Sequence, residues 1–324
     1  MDCCCSFRSL SMQCLPMAFP GSFLRNGVLC SCALLMATVS FSAEVPEGDS
    51  ASIREIVRPL KAHVGVSAVM LDTGESVSVG DEAFYTMQSV YKFPLALSVL
   101  KRVDQGVLDL DQKVQVTRDQ LPEKTWSPLR DRFPQGGEFP LKELLRFSVQ
   151  ESDNNACDIL FSLIGGPKAV QKDLKKWGVE NMNVKYTEAD THRNNEWQYS
   201  NSARPSAMTS LFRRFDEGKI LKKDTQLFLW DMMASCATGA ERLKGLLPKE
   251  YEVAHKTGTR GELTNDAVSA INGAGVIVLP GGRRMAVTVF VMNSKDSPAV
   301  CEGTSASVAR WLCTEWKAAE GVKK

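Results

Sequence analysis

The stretch VGVSAVMLDTGESVSV, residues 64–79, starts the fold with two apolar, β-branched segments on either side of Asp72-Thr73-Gly74. That pattern predicts a β-hairpin, because turn residues separate two runs of strand-forming side chains. In the next segment, SVYKFPLALSVLKRV at residues 89–103, apolar residues recur at helical spacing from Phe93 to Val103. The first strands are therefore expected to lead directly into a first long helix.

Helical spacing continues through the middle of the chain, and strand character returns near its end. Further helices are predicted at residues 141–149, 156–164, 170–177, 207–215, 225–233 and about 305–317. Further strands are predicted at residues 251–256, 275–279 and 285–292, with Pro280-Gly281-Gly282 as a turn. Strands at both ends with helices between them predict an α/β (α+β) fold, in which an antiparallel sheet built from both termini carries an inserted all-helical domain.

Three regions are expected along the chain. Residues 44–86 and 234–324 are expected to form the sheet domain and residues 87–233 the helical domain, with a ligand groove between them. Residues 1–43 are expected to be a secretory signal peptide, because a short apolar run is followed by small residues that suit cleavage. The N-terminal region is long for such a signal, so translation from Met12 or Met17 is an alternative. The mature protein is expected to be periplasmic or secreted.

Composition favours a small-molecule partner. The 324 residues include 39 basic and 38 acidic side chains, which gives a net charge of +1. This balance provides no electrostatic footprint for nucleic acid or an anionic membrane. We also expect the protein to be a monomer with no stable membrane partner. The four cysteines beyond the signal segment contain no CxxC pair, so no metal or cofactor is expected. We expect them to be small buried hydrophobes, with pairing as the alternative: Cys157, Cys236, Cys301 and Cys313.

The first candidate for chemistry is Ser89-Val90-Tyr91-Lys92, at the expected start of the long helix. Residues three apart share a helix face, so the lysine amine can reach the serine hydroxyl and accept its proton if it is neutral. By itself this pattern is weak, because a capped helix with a solvated lysine looks the same. The pair is therefore a hypothesis that needs support from other motifs.

The second candidate, Ser152-Asp153-Asn154, precedes the helix predicted at residues 156–164. These residue types are the usual N-caps of helices, so a purely structural role is the alternative. A functional role requires Ser152 to relay protons and Asn154 to hold a substrate amide.

The third candidate, Lys256-Thr257-Gly258-Thr259, lies at the end of a predicted strand. A strand beside a nucleophile presents backbone amides to the reacting carbonyl, and glycine allows close approach. The lysine and hydroxyls would bind a substrate carboxylate.

In this order the three motifs match the S-x-x-K, S-D-N and K-T-G set of class A β-lactamases and penicillin-binding proteins. The chain resembles the class A serine β-lactamases over about residues 53–316. The resemblance implies the serine β-lactamase/penicillin-binding-protein fold. It also implies hydrolysis of the β-lactam ring of penicillins and cephalosporins through an acyl-enzyme on Ser89, with antibiotic resistance as the result.

Hydrolysis also requires a base that delivers water to the acyl-enzyme. Residues 186–192 resemble the start of the omega loop of class A enzymes, expected here at about residues 185–202, with Glu188 in the water-activating position. The alternative is a solvated loop acid. His192 replaces a common asparagine, and Tyr186 and Asn201 stand where an arginine–aspartate pair often clamps the loop.

These departures resemble the extended-spectrum branch typified by the PER enzymes, as do residues 238–248 and 254–259. The resemblance therefore implies a widened site that accepts bulky cephalosporins.

The resemblance also implies the remaining roles. The backbone amides of Ser89 and Thr259 would form the oxyanion hole, and Ser152 and Lys256 would pass a proton to the leaving nitrogen. Either Lys92, or Glu188 through a water, would take the serine proton. The expected substrate-binding residues are Asn154, Thr257, Thr259, Arg242, Trp126 and His192; for Trp126 and His192, structural packing is the alternative.

Two other functions remain alternatives. A penicillin-binding DD-peptidase shares the three motifs but lacks a deacylating glutamate. A β-lactam sensor becomes acylated and stays so, and such receptors normally carry a membrane span. Sustained turnover of a chromogenic cephalosporin distinguishes the hydrolase from both, because they give a single stoichiometric burst.

Overall fold

The computed structural model describes residues 47–263 and 267–316. The predicted signal peptide, residues 1–43, lies outside the described residues. In the described part the α-helices are α1 (Glu47–Val57), α2 (Lys92–Asp104), α3 (Pro128–Arg132), α4 (Leu141–Gln150), α5 (Asn154–Ile164), α6 (Pro167–Lys176), α7 (Glu188–Arg193), α8 (Pro205–Asp216), α9 (Lys223–Ala234) and α10 (Pro298–Trp311). Short 3-10 helices span Gln88–Tyr91, Arg118–Gln120 and Asn195–Ser200, and a π-helical turn spans Leu312–Trp316.

The strands form one large sheet and two small ones. They are β1 (His63–Met70), β2 (Ser76–Val79), β3 (Tyr85–Thr86), β4 (Lys113–Thr117), β5 (Gly136–Pro140), β6 (Met182–Asn183), β7 (Ser202–Ala203), β8 (Glu252–Leu263), β9 (Ala267–Val278) and β10 (Arg284–Ser294). The large sheet has the order β2-β1-β10-β9-β8, and every neighbouring pair is antiparallel. The prediction of an antiparallel sheet built from both ends of the chain, with helices between, is confirmed.

Local sequence signals explain several element boundaries. In the β1–β2 hairpin, Gly74 has a φ of 77° and its amide donates to Met70 O, as the Asp-Thr-Gly turn predicted. Helix α5 begins after Asp153, whose side chain accepts from Ala156 N, and ends at Gly165 in the left-handed region.

The predicted strands at residues 251–256 and 275–279 were too short. β8 and β9 pair over their full lengths, from Glu252 opposite Val278 to Leu263 opposite Ala267. Residues such as Gly258 and Asn272 lower intrinsic strand propensity, but pairing with a neighbour overrides it. The third motif therefore lies in the middle of a strand and not at its end.

The predicted C-terminal helix started too late, because α10 begins at Pro298 after an N-cap by Ser297. Helix α1 and the β4–β5 hairpin were not predicted; the apolar face of α1, formed by Ile53, Ile56 and Val57, is confined to its C-terminal half.

Two hydrophobic cores share the large sheet. The first core joins one sheet face to helices α2, α4, α5, α8 and α9, with Ala286 and Phe290 contributed by β10. The second core joins the other face to α1 and α10, with Val287 and Val289 contributed by the same strand. This alternation is the period-2 pattern of a strand buried on both faces. The predicted domain boundaries stay a prediction.

The four cysteines of the described part are free and buried, as expected for small hydrophobic residues. No helix within residues 47–263 or 267–316 has the length and apolar character needed to span a bilayer.

Candidate active site

The turn before α2 brings Ser89 to the start of the helix. Residues Gln88–Tyr91 form a 3-10 turn that leads directly into α2. Gln88 has a φ of 47°, a conformation that is costly for a non-glycine residue and recurs at functional sites. Its side-chain amide donates to Thr86 Oγ1 (3.1 Å) and Gln198 Oε1 (2.9 Å). These bonds hold the strained turn in place.

Lys92 is fully buried and reaches back to Ser89. Its Nζ donates to Ser89 Oγ (2.7 Å), Ser152 O (3.0 Å) and Asn154 Oδ1 (2.5 Å). An ammonium group carries three protons, so these three acceptors satisfy it. The first two motifs therefore meet at one amine.

Glu188, the first residue of α7, contacts the same amine. Lys92 Nζ and Glu188 Oε1 are 2.9 Å apart, although this oxygen has no partner of regular hydrogen-bond geometry among the described residues. Burial acts to raise the pKa of Glu188, but the positive charge of Lys92 and smaller stabilising contributions together outweigh it, and the pKa lies below its ordinary value. A carboxylate that stays ionised near neutral pH can act as a general base.

Ser152 and Lys256 form a second hydroxyl–amine pair. Lys256 is fully buried, and its Nζ donates to Ser152 Oγ (2.9 Å) and Thr257 O (2.9 Å). Burial lowers the pKa of Lys256 to about 7, and the nearby positive charge of Lys92 contributes to the shift. An amine of this kind can both give and take a proton at neutral pH.

The middle residue of the second motif has the structural role. The Asp153 carboxylate accepts from Ala156 N (2.8 Å) and Leu129 N (2.6 Å), which caps α5 and ties α3 to its start. Its two neighbours, Ser152 and Asn154, contact the buried lysines instead. Asp153 thus caps the helix, whereas Ser152 and Asn154 face the site.

Asn154 is also tied to the segment that carries Trp126. Its Nδ2 donates to Thr125 Oγ1 (2.7 Å) and its backbone amide donates to Trp126 O (3.0 Å). Trp126 is 60% exposed, and its indole donates to Glu151 O (2.9 Å). His192 Nε2 lies 3.0 Å from Thr125 Oγ1. Trp126 is therefore solvent-exposed where it stands beside the site. His192 connects the predicted omega loop to the segment that carries Trp126.

Strand β8 carries the third motif beside Ser89. A Cβ on Gly258 would lie 2.4 Å from Met87 O and 3.1 Å from Ser89 N. Only glycine permits this approach. The amides of Ser89 and of the strand therefore lie close together, which is the arrangement that an oxyanion hole requires.

Arg242 lies behind this strand and is only 4% exposed. Its guanidinium donates to Thr259 Oγ1 (2.6 Å), Gly258 O (3.0 Å) and Asn272 O (2.8 Å). It also pairs with Glu302 at 3.1 Å. The Thr259 hydroxyl thus stands between the guanidinium and the cleft.

These elements enclose a cleft of about 250 Å³. Its lining residues are Ser89, Trp126, Ser152, Asn154, Thr238, Thr257 and Thr259. Glu188 and His192 line a neighbouring cavity of about 150 Å³ together with Thr125 and Asp158. The structure brings all the predicted site residues into these two spaces or, for Lys92, Lys256 and Arg242, directly behind the first.

Comparisons with known proteins agree with this geometry. Residues 50–313 match the model of the β-lactamase enzyme family. The chain belongs to this family.

Relatives of this β-lactamase include enzymes from Pseudomonas aeruginosa. Over 88% of this chain and 93% of the relative, it is 39% identical to the extended-spectrum β-lactamase PER-1. It is 36% identical to β-lactamase VEB-1 over 85% of this chain and 93% of that protein. The crystal structure of TLA-3 extended-spectrum β-lactamase superimposes with a TM-score of 0.81 and 36% identity, covering 82% of this chain and 98% of that one. The predicted resemblance to class A enzymes of the PER type is confirmed.

In this β-lactamase a single amide joins the two ends of the omega loop. Asn201 Oδ1 accepts from Lys185 N (2.8 Å) and Tyr186 N (3.0 Å), and its Nδ2 donates to Tyr186 O (2.9 Å). The side chain is 2% exposed, so these bonds are shielded from water. The neutral side chain of Asn201 therefore closes the loop at the position where the sequence comparison placed an arginine–aspartate ion pair in the commoner class A enzymes.

Asp158 of α5 was not predicted as a site residue. Its carboxylate accepts from Glu188 N (2.8 Å) and Ala189 N (2.8 Å). Burial raises its pKa to about 7, and the negative charge of Glu188 adds to the shift. In the sequence, Asp158 is the one acid in the largely apolar run at residues 156–164. Because a buried charge needs a partner, this position could have indicated a site residue.

Asn272 and Thr238 were also missed as site residues. Asn272 is fully buried in β9 and donates to Thr86 O (2.7 Å) and Met87 O (3.1 Å), which supports the turn at Ser89. Thr238 lines the cleft and is hydrogen-bonded to Thr257. For Asn272 the available signal was a polar residue within a buried strand. Thr238 begins the segment 238–248 that carried the resemblance, but it was not assigned a role.

Proposed function

We propose that this β-lactamase opens the β-lactam ring through an ester on Ser89 and releases the product with a water activated by Glu188. One observation carries the proposal: the buried Lys92 ammonium contacts both Ser89 Oγ, at 2.7 Å, and Glu188 Oε1, at 2.9 Å. Nucleophile, amine and carboxylate therefore form one continuous chain for protons.

In the acylation step, Ser89 Oγ attacks the lactam carbonyl carbon and the C–N bond breaks. The serine proton passes to Glu188 through a water, or to Lys92 after Lys92 has given a proton to Glu188. Both routes use the carboxylate, because an ammonium group has no lone pair and must lose a proton before it can accept another. The developing oxyanion is stabilised by the amides of Ser89 and Thr259.

The leaving nitrogen receives its proton from Ser152, which is replenished by Lys256. The 2.9 Å bond between these groups and the lysine pKa of about 7 support this transfer. Asn154 contacts the amide side chain of the drug. Thr257 and Thr259 bind its carboxylate, with Arg242 acting through Thr259.

Between the two steps, Glu188 gives up to solvent the proton that it took from Ser89, and Lys256 regains a proton from solvent. In the deacylation step, the ionised Glu188 takes a proton from a water as the water oxygen attacks the ester carbonyl carbon. The tetrahedral intermediate collapses, releases the ring-opened acid and returns the proton to Ser89. A DD-peptidase or a sensor lacks this base, and the ion pair of Glu188 with Lys92 favours the hydrolase.

Cephalosporins, including bulky ones, are proposed as substrates. PER-1 and TLA-3 carry the description extended-spectrum, and the exposed Trp126 leaves one wall of the cleft open. We further propose that the protein is exported through its N-terminal signal peptide, to the periplasm or the medium, and acts as a monomer.

Intact-protein mass spectrometry after drug addition tests the mechanism. Ser89→Ala should give no covalent adduct. Glu188→Gln should accumulate the acyl-enzyme and lower kcat by a factor on the order of 10² to 10⁴. Glu196→Gln is the matched control, because it neutralises an exposed acid of the same loop. Parent-like turnover by Glu188→Gln would exclude Glu188 as the deacylation base.

A further inference from the structure

Thr238 lines the cleft, yet the proposed mechanism does not use its hydroxyl. The residue lies in the segment that follows α9, and its Oγ1 is hydrogen-bonded to Thr257 Oγ1 of β8. The mechanism places Thr257 against the carboxylate of the drug. The Thr238 hydroxyl is therefore next to the position of a negative charge.

The segment around Thr238 is held firmly against β8. Ala237 N donates to Gln150 O at 2.9 Å. Gly239 has a φ of 69°, and a Cβ at this position would lie 2.5 Å from Thr257 Cγ2. Only glycine permits both this conformation and this approach. The contact between the two threonines is thus fixed by the backbone on each side of Thr238.

Arg242 does not reach the cleft itself. It is 4% exposed, and its guanidinium donates to Gly258 O, Asn272 O and Thr259 Oγ1 and pairs with Glu302. Because Thr259 Oγ1 accepts from the guanidinium, the hydroxyl proton of Thr259 is left to donate into the cleft. The arginine therefore acts on a bound carboxylate through a threonine hydroxyl.

The charges around this end of the cleft favour an anion. None of the described residues that line the cleft is acidic. The guanidinium of Arg242 lies directly behind Thr259. The amine of Lys256, which is fully buried, donates to Thr257 O at 2.9 Å. Three threonine hydroxyls thus stand between two basic side chains and the cleft.

The hydroxyls of Thr238 and Thr257 can both turn toward a carboxylate. In the structure they share one hydrogen bond, so one of their two protons is donated to a neutral acceptor. A hydrogen bond to a charged acceptor is about twice as strong, and a hydroxyl proton rotates to suit its partner. Cys236 Sγ, 3.4 Å from Thr238 Oγ1, is only a weak competitor.

We propose that Thr238 is a substrate-binding residue: its hydroxyl is a third donor, with Thr257 and Thr259, to the carboxylate beside the lactam nitrogen of the drug. A carboxylate has two oxygens with about four lone-pair sites, so it can accept from all three hydroxyls. The inference rests on the proposed function, because it adds a residue to the substrate site of that reaction.

The test compares a chromogenic cephalosporin with its methyl ester at this carboxylate. Thr238→Val keeps the shape of the side chain and removes the hydroxyl. We expect kcat/KM for the acid to fall by roughly tenfold, because one bond to a charged group is lost. For the ester, which offers only a neutral acceptor, kcat/KM should change by no more than about twofold. Thr238→Ser restores a hydroxyl and should recover most of the activity toward the acid.

Cys236→Ala is the matched control. It removes the thiol beside Thr238 but leaves the threonine hydroxyl, so the preference for the acid over the ester should equal that of the parent. Thr238→Ala removes the hydroxyl without a second methyl group, and it should reproduce the loss of preference if Thr238→Val folds poorly.

Two results would overturn the inference. An equal fall for acid and ester in Thr238→Val would mean that Thr238 acts through the fold. An unchanged kcat/KM for the acid would mean that the hydroxyl does not bind the carboxylate. A loss of preference in Cys236→Ala as large as that in Thr238→Val would likewise assign the effect to repacking of the segment.

Mass spectrometry of the intact protein separates this inference from the proposed function. If the parent forms and clears an adduct on Ser89, but Thr238→Val keeps the parent preference for the acid, the inference fails alone. If Ser89→Ala still hydrolyses the drug, the proposed function fails, whereas the ratio of kcat/KM for acid and ester still measures how Thr238 binds the carboxylate.

Discussion

The two buried lysines of the site differ in what surrounds them. Lys92 has a carboxylate within 2.9 Å, whereas Lys256 donates to a hydroxyl and a carbonyl, both neutral. Burial without a counterion favours the neutral amine, and the pKa of Lys256 falls to about 7. The same residue type thus pairs with a carboxylate in one motif and with neutral groups only in the other.

Asp158 allows a prediction about stability and pH. Its folded pKa of about 7 is raised above the ordinary 3.8, so the folded state binds this proton more tightly than the unfolded state does. The resulting stabilisation is complete below about pH 3.8 and is lost as the pH rises through about 7. Asp158→Asn removes this dependence. The free energy of unfolding of the variant, relative to the parent, should therefore be higher at pH 8 than at pH 5 by on the order of 2 kcal/mol.

Urea denaturation at the two pH values measures this difference. The asparagine can still accept one of the two backbone bonds, and the loss of the other affects both pH values equally. Asp119→Asn, at an exposed position, controls for the loss of a negative charge. The assignment is wrong if the stability difference between Asp158→Asn and the parent is the same at pH 5 and pH 8.

At the scale of elements, the site depends on how closely β8 approaches the turn at Ser89. Gly258→Ala would place a Cβ 2.4 Å from Met87 O, so that the strand or the turn must shift. The oxyanion hole would then lose its alignment, and we expect kcat/KM to fall by roughly 10²- to 10³-fold. Gly261→Ala on the same strand is the control, because among the described residues no atom lies within 4 Å of its added Cβ.

Pre-steady-state acylation with a chromogenic cephalosporin measures the effect, and circular dichroism with thermal unfolding checks that both variants fold. Similar acylation rates in Gly258→Ala and Gly261→Ala would contradict the role assigned to the close approach.

The elements that the sequence predicted well are those whose apolar spacing matches their burial. Helices α4 and α5 and the β1–β2 hairpin have clear periods and clear turn residues. Strands β8 and β9 extend well beyond their predicted ends, because hydrogen bonding between them overrides the low propensity of residues such as Gly258.

The site was predicted where a motif places a residue type at a fixed spacing, as with Ser89 and Lys92. Asp158 and Asn201 were not assigned roles, because their partners are backbone groups far away in sequence. A backbone donor looks the same at every position, so a local pattern does not reveal such contacts. Only the folded chain brings them together.

At the scale of the whole molecule, the large sheet has a hydrophobic core on each face, and the two cores differ in size. The first core, on the helical side, contains Cys157 and most of the buried aromatic rings, including Phe93 stacked on Phe212 at 3.9 Å. The second core contains Cys301 and Cys313 and depends on α1 and α10, which lie at the two ends of the described chain. A chain of this length with two cores is expected to populate partly unfolded states.

The smaller second core should open first, because α1 and α10 can leave the sheet without disturbing the helices on its other face. Brief exposure to iodoacetamide across a urea titration, followed by peptide mapping, reports each buried thiol separately. We expect Cys301 and Cys313 to become labelled at a lower urea concentration than Cys157, while all three resist labelling in the native protein because they are buried.

Labelling of Cys157 first, or of all three at one urea concentration, would mean that the two cores do not open in this order. In that case the sheet would couple them more tightly than the packing of α1 and α10 suggests.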